Sequence, residues 1–323
     1  MNVAVTGAAG FLGDRLINAI LAEDSPLKVA SLLLVDTCVP RPRKDSRVRT
    51  LALDLSSPGA VEQIVTPERH VLFHLAAVVS GHAEADFDLG LAVNFDVTRA
   101  LLEAARKRAN NMRLVFASTV GVFGGDLPPV IEDWTAAMPQ NTYGVAKALS
   151  ELLINEYSRR GFVDGLVVRL PTVSVRGGAA NRAVTSFASG IVREPLRGEI
   201  AICPVDEAQR LWLCSPRAAV RNILHAGTLN GAELGAWRVI NLPGITAAVK
   251  EMIQALREVA GDEVAARIQF EHDETAARIV GSFPCQFDTK RAQRLGFVAD
   301  RDFAEIIRNF IEEESETKVS QTV

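Results

Sequence analysis

The chain has 323 residues, 48% of them apolar and 23% charged, with a formal net charge of -4. That length supports a large core without staples, and the absence of a basic stripe excludes nucleic acid as the main partner. No apolar run reaches the roughly 18 residues of a membrane span, and MNVAVTG enters a strand at once, so neither a membrane partner nor an export leader is expected.

From the N-terminus, short apolar strands alternate with helix-length segments. The strands are VAV at 3–5, SLLLVD at 31–36, RTLALDL at 49–55, VLFHLAA at 71–77, RLVFAST at 113–119 and LVVRL at 166–170. Between them FLGDRLINAILAE and NFDVTRALLEAARKRA repeat apolar residues at three- and four-residue spacing, as helices do. The pattern predicts an α/β fold, a doubly wound parallel sheet of Rossmann type. After residue 172 the rhythm changes: VRGGAANRAVTSFASG is rich in glycine and alanine, and AICPVDEAQRLWL is irregular or strand-like. We expect a nucleotide-binding domain over 1–172 with returning segments near 216–243, and a smaller interleaved substrate lobe over 173–323. The amphipathic AAVRNILHAGTL and the strand WRVINLPG supply the return, and the tail EEESETKVSQTV is expected to fray.

The first strand runs into TGAAGFLG, which places Gly7, Gly10 and Gly13, with Phe11 and Leu12 between them, at the start of a helix. Gly7 permits a tight turn, Gly10 lets backbone N–H groups approach a pyrophosphate, and Gly13 lets the helix lie close to the sheet. Asp36 ends the second strand where a carboxylate accepts both hydroxyls of an adenosine ribose and repels a 2′-phosphate, favouring NAD over NADP. Arg41 and Arg43 could answer such a phosphate, and Asp36 could equally be a turn residue. Asp54, followed by Leu55, either lies near the adenine or caps the next segment.

In NTYGVAKALS, Tyr143 and Lys147 stand four apart, on one helix face, in a chain with two tyrosines and seven lysines. A phenol of pKa near ~10 needs roughly 4 kcal/mol of differential stabilisation of its anion to act as a base near neutrality. Lys147 and an oxidised nicotinamide are two cations able to supply it. ASTVGVFGG ends a central strand with Ser118 and Thr119, either of which can orient a substrate hydroxyl.

Together TGAAGFLG, Asp36, HLAA, AVNFDVT, ASTVGVFG and YGVAK resemble the extended short-chain dehydrogenase/reductase family, which includes nucleotide-sugar epimerases and dehydratases; FDTKRAQRLGF resembles its C-terminal segment. The resemblance implies that Tyr143 is the general base, that Lys147 holds the nicotinamide ribose, and that Thr119 or Ser118 binds the reacting hydroxyl. It also assigns Leu75, Ala76, Asn94 and the Pro171 backbone to the cofactor pocket, and implies a homodimer through helices near 94–108 and 143–160.

The chain departs from the nucleotide-sugar members in three places. It has VFG with Phe123 where they read VYG, RLPT with Thr172 where they carry a sugar-diphosphate asparagine, and Val120–Gly121 where dehydratases place an acid pair. Similarity is greatest to the branch that oxidises small sugar acids, which implies oxidation of the C2 hydroxyl of a four-carbon aldonate; an epimerase and a uronate dehydrogenase are the alternatives. Arg176, Arg182 and Arg210 are candidates to grip the carboxylate, and Ser80 to meet substrate hydroxyls. A non-catalytic dinucleotide sensor is a different class of reading, against which Tyr143, Lys147 and Thr119 weigh.

His74, inside an apolar strand, reads as a hydrogen-bonded structural residue, and the other histidines form no ligand spacing. Cys38, Cys203, Cys214 and Cys285 lie far apart without CxxC spacing. No metal and no disulfide framework are expected, and a reducing cytoplasm fits. Trp134, Trp212 and Trp237 read as packing residues.

Overall fold

A computed structural model describes residues 1–108, 111–178 and 183–321, with side chains to Ser315. Strands β1 (Asn2–Thr6), β2 (Ser31–Asp36), β3 (Val48–Ala52), β4 (Val71–His74), β5 (Arg113–Thr119) and β6 (Asp164–Leu170) form one sheet. A short β7 (Thr172–Val173) follows, then β8 (Ala201–Cys203), β9 (Arg210–Cys214) and β10 (Val239–Asn241). The main sheet runs β3-β2-β1-β4-β5-β6-β10, with every neighbouring pair parallel. WRVINLPG does return to this sheet: Val239 pairs with Val167.

Period-two alternation decides which side chains face which layer. Val3, Val5, Leu32, Leu34, Phe73, Val115, Leu166 and Val168 point to one side, where they pack with Leu16, Ile17 and Ile20 of α1 (Phe11–Leu21) and with Ile223. Ala4, Leu33, Val35, Leu72, Leu114, Phe116 and Val167 point to the other, against Leu101, Leu102 and Ile154. Both faces are thus covered, as a parallel sheet requires. Of α2 (Ser80–Ala85), α3 (Phe87–Leu91), α4 (Val97–Arg108) and α5 (Thr142–Arg159), the last two cover the second face and the first two pack against α5. Two helices follow, α6 (Phe187–Leu196) and α7 (Pro216–Ala226), the second of which carries Ile223 back onto the first face.

A third apolar cluster lies outside the sheet and joins Val175, Phe187, Ile191 and Met252 to Phe303, Ile306 and Phe310. Two small sheets accompany it, one ordered β11-β9-β7 with β11 spanning Ile245–Ala248, the other pairing β8 with β12 (Ile268–Phe270).

Much of the segment expected to fray is helical: the last helix runs Phe303–Gln321. Its acidic run is neutralised by arginines distant in sequence, Glu313 by Arg15 at 3.1 Å, Glu314 by Arg197 at 3.0 Å and Glu312 by Arg217 at 3.1 Å. Among the described residues no helix is long and apolar enough to cross a membrane, and no group of three or more His, Cys, Asp or Glu is placed to hold a metal.

Candidate active site

The chain winds β1, β2, β3 in one direction and restarts at β4 on the other side of β1, so a crevice opens at the strand ends between β1 and β4. The glycine turn sits there. Gly7 has φ +72°, and a Cβ added to it would lie 2.7 Å from the Ala76 nitrogen and 2.8 Å from the Leu75 carbonyl carbon. A Cβ on Gly13 would lie 2.0 Å from the Gly7 carbonyl oxygen. The turn is therefore pressed between the end of β4 and the first turn of α1, a cradle that side chains would fill.

Asp36 accepts a hydrogen bond from the Ala9 N–H at 3.0 Å through one oxygen, and the Thr37 hydroxyl and Cys38 N–H donate to the other at 3.3 and 3.4 Å. It is both a turn residue and a brace on the glycine loop, and its carboxylate keeps lone pairs to spare. Arg43 is committed to Asp14 at 2.6 Å, which removes one cation that could have answered a 2′-phosphate. These residues fit a non-phosphorylated dinucleotide.

Thr119 ends β5, and its hydroxyl accepts from the Gly121 N–H at 3.0 Å, capping a single 3-10 turn over Val120–Val122. That turn lies against α5: a Cβ on Gly144 would be 2.4 Å from the Gly121 carbonyl oxygen. The close approach puts Thr119 and Tyr143 on one wall. Asn141 caps α5 by accepting from the Gly144 N–H at 2.8 Å, and Glu84 accepts from the Thr142 N–H at 3.0 Å. One turn after Tyr143, Lys147 is 1% exposed; its Nζ donates to the Ala117 carbonyl at 2.8 Å and stands 5.6 Å from the Tyr143 ring centre.

Burial brings the Lys147 ammonium down to about 7, against an upward pull from Glu151. Burial also pushes the Tyr143 phenol up to about 12. The cation that pulls it down in the protein alone is Arg176.

A cavity of about 340 Å³ collects Tyr143, Thr119, Ser118, Ser80, Phe11, Pro171 and Arg176. The Arg176 guanidinium lies 5.0 Å from the centre of the Phe11 ring. Its backbone is fixed by α6, where Ser189 accepts from the Arg176 N–H at 3.0 Å and Arg193 donates to the Arg176 carbonyl at 2.8 Å. Arg15 is paired with Glu313 and Arg193 with Glu194, but among the described residues no carboxylate pairs with Arg176. Burial and these like charges lower its pKa, so the cavity holds a cation in want of an anion.

Several candidates do something other than expected. Ser118 is 2% exposed and donates to Glu151, which also takes three hydrogen bonds at 3.0, 3.1 and 2.6 Å from the buried Arg169; of the two hydroxyls, Thr119 is the one left to the cavity. Asn94 is 1% exposed on a π-helical turn (Ala92–Asp96), and its amide takes both the Val78 N–H (2.9 Å) and carbonyl (3.1 Å). It clamps the loop after β4 through the oxygen and one N–H of its amide, and the second N–H has no partner among the described residues. Asp54 accepts from the Ser56 N–H at 2.9 Å and from its hydroxyl, the capping role, one of its two expected readings. Leu12 and Leu55 pack against the two cores of the main sheet. Arg210 is exposed at the first position of β9 and does not line the cavity. Arg182 lies outside the described residues.

His74 is held by the Thr6 hydroxyl at 2.7 Å and Thr98 at 3.2 Å, and burial with nearby Lys147 brings it to about 3, a neutral structural imidazole. Asn141, Arg193, Ser186, Ser189 and Phe283 also line the cavity and were missed. Of these only Asn141 carried a signal, a helix-capping residue two places before the tyrosine.

The chain belongs to the NAD dependent epimerase/dehydratase family, whose model matches residues 3–226. It is similar to the D-erythronate dehydrogenase of Cupriavidus necator, 49% identical over 97% of this chain and 98% of that one. The D-erythronate dehydrogenase of Haemophilus influenzae is 47% identical over 97% and 99%. Among solved structures, the crystal structure of a nucleoside-diphosphate-sugar epimerase from Agrobacterium tumefaciens superposes with a TM-score of 0.92 at 41% identity, covering 98% of this chain and 95% of that one.

Proposed function

We propose that this protein is an NAD-dependent dehydrogenase that oxidises the C2 hydroxyl of D-erythronate, or a closely similar small sugar acid, to the 2-oxo acid. The observation that carries the reading is Arg176, a cation without a carboxylate partner among the described residues, in the same cavity as Tyr143 and Thr119. A guanidinium grips a carboxylate by paired charge-assisted hydrogen bonds, and the alcohol next to that carboxylate then lies beside the phenol. Bound NAD⁺ supplies the two-electron acceptor for the C2 hydride. Tyr143 Oη takes the hydroxyl proton, Thr119 orients the reacting oxygen, and Lys147, anchored on Ala117, holds the nicotinamide ribose. A cavity of about 340 Å³ stands at the small end of ligand pockets, which supports a short acid over a sugar nucleotide.

The experiment is an assay of purified protein with NAD⁺. D-erythronate should raise NADH absorbance and nucleotide sugars should not. Turnover of a nucleotide sugar without net NADH would replace this reading with the epimerase one. The proposal includes the lobe division at 172–173 and a homodimer: Val145, Leu149 and Leu152 form an exposed apolar stripe at four- and three-residue steps along α5, with exposed Phe87 on the neighbouring α3. Light scattering should give a particle of twice the 34.9 kDa chain mass, and a monomer at micromolar concentration would contradict it.

A further inference from the structure

We infer that Asn141 determines which sugar acid is accepted, by donating from its side-chain amide to a substrate hydroxyl other than the one Tyr143 deprotonates; the inference rests on the dehydrogenase reading above. Asn141 lies in extended backbone (φ -155°, ψ 158°) just before α5 and lines the cavity with Tyr143, Thr119, Ser80 and Arg176. Its carbonyl oxygen is spoken for, because the Gly144 N–H donates to it at 2.8 Å. That bond fixes the orientation of the amide plane: an acceptor must face the helix, so the NH₂ end faces away from it. Among the described residues the NH₂ has no hydrogen-bond partner. A neutral two-proton donor beside the catalytic phenol suits a neutral hydroxyl, while the charged end of the substrate goes to Arg176. The amide thus serves twice, its oxygen building the helix that carries Tyr143 and its nitrogen reading the ligand.

The two roles separate by substitution, since serine and aspartate both cap helices through an oxygen but neither presents an N–H. Asn141→Ser and Asn141→Asp should keep the wild-type melting temperature. Each should lower kcat/KM for D-erythronate by about tenfold, mostly through KM. With 2-hydroxybutanoate, which has the same carbon chain without the distal hydroxyls, Asn141→Ser should agree with wild type, whether it is measured as substrate or as competitive inhibitor; Asn141→Asp adds an anion to the cavity and should weaken both ligands, so the serine variant decides. Equal losses on both ligands in that variant, or no loss on either, would overturn the inference while an active wild type leaves the dehydrogenase reading standing. If wild type reduces NAD⁺ with no sugar acid, both fall together.

Discussion

Tyr143→Phe should retain NAD⁺ binding and lose turnover by about 10³-fold, the scale of a positioned acid–base group. The substitution removes one oxygen from a half-buried ring, so the cap at Asn141, the Ala117 bond of Lys147 and the packing of Gly144 on Gly121 all persist. Burial already holds the phenol near 12 in the protein alone, so its hydroxyl is protonated at neutral pH and turnover depends on charge brought close to it. Binding of NAD⁺ followed by fluorescence titration, beside NADH formation in the steady state, separates the two effects. A sensor would keep its cofactor affinity and its partner and would have no turnover to lose. Residual activity within threefold of wild type would remove Tyr143 from the chemistry.

Replacing Arg176 should have two separable consequences. Arg176→Ala removes a charge-assisted grip on the carboxylate and should raise KM for a sugar acid by on the order of 10²-fold. It also removes the cation that pulls the Tyr143 phenol down. With that cation gone the phenol ionises at higher pH, so the rising limb of kcat against pH should move to higher pH. Arg176→Lys keeps the charge and loses the fork: KM should still rise, and the pH limb should stay near wild type. A pH profile unmoved in the alanine variant, with KM also unchanged, would show that this guanidinium neither binds substrate nor faces the phenol.

The sheet was legible because its strands are uniform apolar runs whose alternate residues sort to opposite faces, and SLLLVD and RLVFAST form strands over their full predicted lengths. RTLALDL stops early, at Ala52, because Asp54 leaves the ladder to cap a turn with Ser56. Tyr143 and Lys147 were legible because helical period alone aligns them. What needed the fold were pairings across long sequence separations. Arg169 and Glu151 are 18 residues apart, and only their meeting explains why Ser118 is withdrawn while Thr119 is presented. The same holds for arginines: composition cannot tell Arg176, with no carboxylate partner among the described residues, from Arg193, paired with Glu194, or from Arg210, exposed at the start of a strand. The last helix hid for a related reason, since the partners of its acidic run come from elsewhere in the chain.

The most direct measurement is the NAD⁺ assay run with D-erythronate carrying deuterium at C2, the reduced nucleotide being analysed by mass. Transfer of that deuterium to the nicotinamide, with a slowed rate, is the predicted result. Reduced nucleotide free of deuterium, or substrate altered with no reduced nucleotide released, would contradict oxidation at the carbon between the Arg176 and Tyr143 contacts.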